Sequence, residues 1–237
     1  MLKNTGLYSQ CLTKLDPSKK MLITTINAHS YNVAKKDKEF KIALLKSDVL
    51  IPDGVSVVWA KKWLSGEKVD KIAGADLFYY ELNRLKDTGG KCFFLGSTNA
   101  TLETITNRAK LDYPNIEVAS YSPPYKPTFS DEDNEIMLQK INEFEPDVLF
   151  VGMTAPKQEK WAYSNLVNLK VGHVCCIGAV FDFYTGTVNR APGWMINMGL
   201  EWLYRFVKEP KRLWKRYLIG NAQFIIAIVK EKLVKEK

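Results

Sequence analysis

The sequence lacks an apolar run long enough to cross a bilayer, which takes about 20 residues. Its opening stretch, MLKNTGLYSQCLTKLDPSKK, has no hydrophobic centre of the kind a secretory signal needs, and the longest unbroken apolar run near the other end covers only 224–229. Cysteine and histidine are scarce. Cys11, Cys92, Cys175 and Cys176 show no CxxC spacing, and neither His29 nor His173 completes a metal-ligand pattern with them. That argues against a disulfide framework and a structural zinc site, and leaves buried, reduced thiols as the expectation. No Walker loop, GxGxxG fingerprint or internal repeat is visible. Hydrophobic residues at 46% and charged residues at 25% are near the globular average, which excludes a disordered or fibrous chain.

What is present is an excess of positive charge. The formal net charge is +8, which points to an anionic partner. Arg205, Lys208, Lys211, Arg212, Lys215 and Arg216 crowd one short stretch against Glu209 alone, so the excess is concentrated near the C-terminal end.

The length of 237 residues suits one α/β core with an appendage. MLITTI, DVLI, KCFFLG, IEVASY, DVLFVG and HVCCIG are short apolar runs, most of them with β-branched residues, each followed by a polar or glycine-bearing turn. Between them, 31–45, 55–64, 75–85, 101–111, 132–144 and 157–167 have helix-compatible periodicity. This alternation predicts a Rossmann-like α/β fold, a mostly parallel sheet flanked by helices, over 1–193. After Arg190-Ala191-Pro192-Gly193 the pattern turns to helices rich in Trp, Tyr, Leu and basic residues, so 194–237 is expected to be a C-terminal helical, membrane-docking appendage.

Open parallel sheets bind ligands beyond the carboxyl ends of their strands, which makes the polar residues after each apolar run the candidates. Thr25 and Asn27 close the first run, Asp53 follows DVLI across Pro52, Gln158 and Glu159 open the helix after DVLFVG, and Asp182 follows HVCCIG. An ordinary helix N-cap explains Asp53 as well as catalysis does, although Pro52 keeps Ile51 extended and delivers Asp53 to the strand end. The stretch FFLGSTN suits either a phosphate near a helix N-terminus or a plain capped turn. SPPYKPTFSDED is a proline-rich loop, open to a functional or a connecting role. Asp131-Glu132-Asp133 matches a metal-holding DxD pattern, but acidic residues at a helix start are favoured without any ligand, and no metal site is expected.

Two long stretches, VGMTAPKQEKW at 151–161 and IGAVFDFYTGTVNRAPGWMINMGLEWLYRFVKEPKRLWKRYL at 177–218, resemble the WecG/TagA/CpsF glycosyltransferases. TINAHS, IPDGVSVVWA, KIAGADL and FFLGSTN agree in order and spacing, so the resemblance covers nearly the whole chain. It implies an inverting, metal-independent enzyme of bacterial surface-polymer assembly (teichoic acid, capsule or a related polysaccharide) with no cofactor. The donor it implies is a UDP sugar, UDP-N-acetylmannosamine first and UDP-glucose or UDP-N-acetylmannosaminuronic acid as sibling readings. The implied acceptor is N-acetylglucosamine on undecaprenyl diphosphate.

The family's active-site positions fall on Thr25, Asn27, Asp53, Lys71, Tyr125, Gln158 and Asp182, with Arg205 and Arg212 of the tail reaching the donor diphosphate. Asp53 and Thr25 are the catalytic pair in this reading. At position 71 the family more often has arginine, and lysine keeps the charge while losing the bidentate fork. The implied location is cytoplasmic, peripheral on the inner face of the plasma membrane, with an anionic membrane surface as partner; a homo-oligomer is left open. On a helical wheel from Lys211, residues Leu213, Trp214, Tyr217, Leu218, Phe224, Ile225, Ile228 and Val229 share one arc, opposite Arg212, Lys215 and Arg216. That is the layout of an interfacial helix, or of a helix packed on the core with a solvated basic face. The rival from another class, a non-catalytic module binding anionic lipid or nucleic acid, has no use for carboxylates at strand ends, and no nucleic-acid partner is expected.

Overall fold

A computed structural model describes residues 1–233, Asn197 by its backbone alone, so the last four residues of the expected appendage lie outside the described part. Six strands, β1 (Met21–Ile26), β2 (Val49–Pro52), β3 (Lys91–Gly96), β4 (Glu117–Tyr121), β5 (Val148–Gly152) and β6 (His173–Cys176), form one sheet in the order β2-β1-β6-β5-β3-β4. Every pairing is parallel. Helical crossovers carry the chain between successive strands, as parallel pairing requires.

The crossovers are α1 (Ala28–Ala34), α2 (Lys38–Leu45), α3 (Val55–Ser65), α4 (Gly74–Thr88), α5 (Asn99–Asp112), α6 (Asp131–Phe144) and α7 (Lys157–Asn165). After β6 come α8 (Val180–Tyr184), α9 (Gly193–Asn197), α10 (Glu201–Lys208), α11 (Pro210–Trp214), a π-helical turn (Lys215–Ile219) and α12 (Gly220–Leu233). The expected helix over 31–45 is in fact two. Asp37 sits in extended backbone and its carboxylate accepts from the Phe40 N–H at 2.9 Å, starting α2 anew. The apolar period runs through this break because Ala34, Phe40, Ala43 and Leu44 are all buried.

Alternation along the strands assigns one face of the sheet to each layer. Ile23, Ile51, Phe94, Phe150 and Cys175 pack on α4, α5 and α8. On the other face, Leu50 and Ile26 pack on α1, α2, α3 and α12, while Leu149, Val151 and Val174 pack on α6 and α7. Phe78, Phe94, Phe150 and Tyr184 form an aromatic cluster with centroids 4.9–6.2 Å apart. Cutting one of these back to alanine should cost about 3–5 kcal/mol.

Phe224, Ala227 and Ile228 of α12 are buried with Leu2, Tyr31 and Val57, so part of the tail's apolar arc completes the core. Cys92, Cys175 and Cys176 are buried free thiols as expected, but Cys11 is exposed because it lies outside the sheet in the segment before β1. Among the described residues no helix is long and apolar enough to cross a membrane.

Candidate active site

A cleft of about 1240 Å³ opens beyond the carboxyl ends of the strands, and Thr25, Asn27, Asp53, Lys71, Tyr125, Gln158, Asp182, Arg205 and Arg212 all border it. Two glycines let its floor close. Gly96 has φ +114°, and a Cβ there would stand 2.6 Å from the Gly152 carbonyl; a side chain on Gly152 would collide with the Phe181 ring. The FFLGSTN turn ends as an ordinary cap, with Thr98 Oγ1 accepting from the Thr101 N–H.

Asn27 ends β1 and caps α1. Its Oδ1 accepts from the His29 and Ser30 N–H groups, while Ser30 Oγ accepts from the Asn27 N–H. With the oxygen thus engaged, the amide is left to hydrogen-bond Asp53. Asp53 lies just past the β1–β2 ladder, its N–H donating to the Ile26 carbonyl at 2.9 Å. It does not cap the next helix: that place belongs to Gly54, at φ +122° and with no side-chain cap. The N-cap reading therefore fails, and the carboxylate faces the cleft instead. Burial, then the nearby Glu201, push the Asp53 pKa up to about 6 against the opposing pull of Asn27, Lys71 and Arg216.

Cations gather in the same cleft. Lys71 Nζ donates to the Ile196 carbonyl at 3.2 Å, tying α9 over the cleft. Arg205 and Arg216 are half-buried, and the buried Nε of each has no hydrogen-bond partner. Such groups are costly unless something pairs with them. Arg205 lies over the Phe183 ring, and Arg212, more exposed, pairs with Glu209. The Asp182 pKa is raised by burial against the pull of Arg212 and Arg205. Arg216, expected on the tail's basic face toward headgroups or solvent, borders the cleft. Glu201 and His29 are cleft residues too, and neither is among the residues expected at the strand ends. Burial, helped by Arg216, pushes the His29 pKa down to about 4, so its ring is neutral.

Gln158 is buried and occupied. Its Oε1 accepts from the Met153 and Gly178 N–H groups, both at 3.2 Å, and its Nε2 donates to Glu159 Oε1 at 2.8 Å. The residue thereby clamps the loops after β5 and β6 together. Glu159 is buried too, its Oε2 unpartnered and its pKa pushed up to about 7 by burial. Tyr125 stands fully exposed on the proline-rich loop. Lys157 anchors that loop, donating to the Lys126 carbonyl at 2.6 Å and covering the Phe129 ring. Asp131, Glu132 and Asp133 form the first turn of α6, where Asp133 closes a capping box with Ser130 and pairs with Lys126. Among the described residues no group of three or more His, Cys, Asp or Glu side chains is placed to hold a metal.

Residues 2–237 match the Glycosyl transferase WecG/TagA/CpsF family. The chain is 30% identical over 210 residues to the N-acetylglucosaminyldiphosphoundecaprenol N-acetyl-beta-D-mannosaminyltransferase of Bacillus subtilis (strain 168), covering 89% of this chain and 79% of that protein. The protein of the same name from Bacillus spizizenii is 30% identical over 225 residues, 95% of this chain and 85% of its own. That from Staphylococcus aureus (strain MW2) is 28% identical over 217 residues, 92% and 84%. The chain is a member of the WecG/TagA/CpsF family of glycosyl transferases.

Proposed function

We propose that this enzyme transfers N-acetylmannosamine from UDP-N-acetylmannosamine to N-acetylglucosamine carried on undecaprenyl diphosphate, with inversion and without a metal, in the assembly of a bacterial surface polymer. The observation that carries the reading is the cleft-facing Asp53, which caps no helix and shares the cleft with Lys71 and with Arg205 and Arg216, whose buried Nε atoms have no hydrogen-bond partner. The names of the relatives supply the sugar and the acceptor.

In this mechanism an acceptor hydroxyl attacks the anomeric carbon, its proton passes to Asp53, and the bond from that carbon to the UDP oxygen breaks on the opposite face. A positioned base contributes about a hundredfold to ten-thousandfold. The charge that develops on UDP is met by Lys71, Arg205 and Arg216, whose positions are set before the reaction begins. Thr25 and Asn27 orient Asp53 and the reacting groups, and Asp182 orients the tail arginines. Gln158 acts by holding the β5 and β6 loops, and Tyr125 supplies a face for the uracil. Residues from 194 onward form an appendage that completes the cleft, and the enzyme works at the cytoplasmic surface of the membrane.

The test is a panel of UDP sugars (N-acetylmannosamine, glucose, N-acetylmannosaminuronic acid) offered with synthetic lipid-linked N-acetylglucosamine and followed by mass spectrometry. A product gaining one N-acetylmannosamine supports the proposal. Preference for another donor would move the assignment to a sibling transferase, and no UDP release with any donor would sink it.

A further inference from the structure

We propose that α3, inside the catalytic core, is a lipid-contacting element, so that the bilayer seats on α3 and α12 side by side and not on the tail alone. The inference rests on the reading of the acceptor as lipid-linked. In α3, Val57, Ala60 and Leu64 are buried, and in α12, Phe224, Ala227 and Ile228 are buried in the same cluster. The helices touch, Lys232 Nζ donating to the Trp63 carbonyl at 2.8 Å. Each then leaves its opposite side to solvent, and both sides are apolar. On α3 these are Val55, Trp59 and Trp63, spaced i, i+4, i+8, with Trp59 79% and Trp63 50% exposed; on α12 they are Ile225, Ile226 and Val229. Val55 sits against Gly199 at the cleft rim, whereas Trp59 and Trp63, two large aromatics at helical spacing, stand exposed while the helix packs through its other side.

Charge selects the occupant. The α3 sequence VSVVWAKKWLS contains no carboxylate, and the one acid among the described residues of α12, Glu231, is turned inward, accepting from the Lys3 N–H and the Tyr31 hydroxyl. Lys62 and Lys230 are exposed beside the stripes. A second copy would bring the same cations against themselves, whereas an anionic bilayer complements both the cations and the indoles, which favour the headgroup boundary. Position agrees. α3 starts two residues after Asp53, and at about 1.5 Å per residue Trp59 lies about 6 Å along the helix from its first residue. Seating α3 in the headgroup layer therefore puts the cleft mouth where a polyprenyl diphosphate presents its sugar.

The experiment is co-sedimentation of the full chain with vesicles of phosphatidylcholine and phosphatidylglycerol, free of acceptor. The double variant Trp59→Ser/Trp63→Ser should bind at least about tenfold more weakly, with its thermal midpoint unchanged because both side chains are exposed. Leu111→Ser, an exposed apolar site on α5 across the sheet, should bind as the unaltered chain does, and Lys62→Glu should fall further behind the unaltered chain as the phosphatidylglycerol fraction rises. Unchanged binding by the double variant overturns the proposal. So does the loss of a concentration-dependent dimer with vesicle binding intact, which would assign the stripe to a second copy. Because the vesicles contain neither donor nor acceptor, failed sugar transfer alongside normal vesicle binding counts against the proposed reaction and not against this surface.

Discussion

Replacing Asp53 by asparagine tests the site from two directions at once. Its pKa is pushed up from 3.8 to about 6, a displacement that at about 1.36 kcal/mol per pH unit amounts to somewhat under 3 kcal/mol. Asp53 is half-buried, so screening by water reduces this to about 1–2 kcal/mol. The sign comes from linkage: the folded-state value lies above the unfolded one, so the folded chain prefers the protonated carboxyl. It is favoured most below about pH 4, loses stability as the pH rises to about 6, and carries the whole cost at neutral pH. Asp53→Asn keeps the shape and removes the charge. At pH 7.5 it should raise the thermal midpoint by about 2–8 °C, a gain that disappears at pH 4, while turnover falls at least about a hundredfold. The unaltered enzyme should lose kcat/KM below about pH 6, as a base of that pKa requires. Calorimetry across pH, together with a UDP-release assay, measures all three. Near-normal turnover would remove Asp53 as the base, and a midpoint lowered at pH 7.5 would show that the cleft cations hold the carboxylate charged more strongly than burial opposes it.

The cation wall leads to two further outcomes. Arg216→Ala should weaken UDP binding by about tenfold to a hundredfold, the loss of a charge-assisted hydrogen bond, and Arg212→Ala by less, since Arg212 is exposed and paired with Glu209; calorimetric titration with UDP gives the order, and a larger effect at Arg212 would contradict it. Transfer should persist in excess EDTA, and activity lost there and restored by manganese or magnesium, together with inactivity of Asp133→Ala, would return the Asp131-Glu132-Asp133 triplet to the mechanism.

Much of the core is legible in the sequence because its signals are local. A parallel strand buried on both faces has to be a short apolar run, and although β4 at the sheet edge is only partly covered, each of the six runs forms a strand within a residue or two of its expected end. Thr25, Asn27, Asp53, Gln158 and Asp182 are legible for a topological reason, since the residues at or beyond the carboxyl end of a strand in such a sheet stand at the ligand end. Their roles are less so. Whether Asp53 or Gly54 caps α3 depends on a backbone angle at Gly54, and the occupation of Gln158 by two loop N–H groups depends on loops brought together from β5 and β6.

The tail departs from expectation for a different reason. A wheel drawn from Lys211 to Val229 assumes one unbroken 3.6-residue period, and the chain does not keep it. Lys215–Ile219 is a π-helical turn, and each residue it adds beyond the α-helical count rotates the downstream helix by about 100° relative to the upstream one. Leu213 before the turn and Phe224 after it are both buried, yet Phe224 packs on α1 and α3 while Arg216, between them, borders the cleft. A single apolar arc on the wheel therefore corresponds to two different directions in the fold. The residues left over on the outside, Ile225, Ile226 and Val229, line up with a stripe on α3 that no wheel confined to the tail would have included.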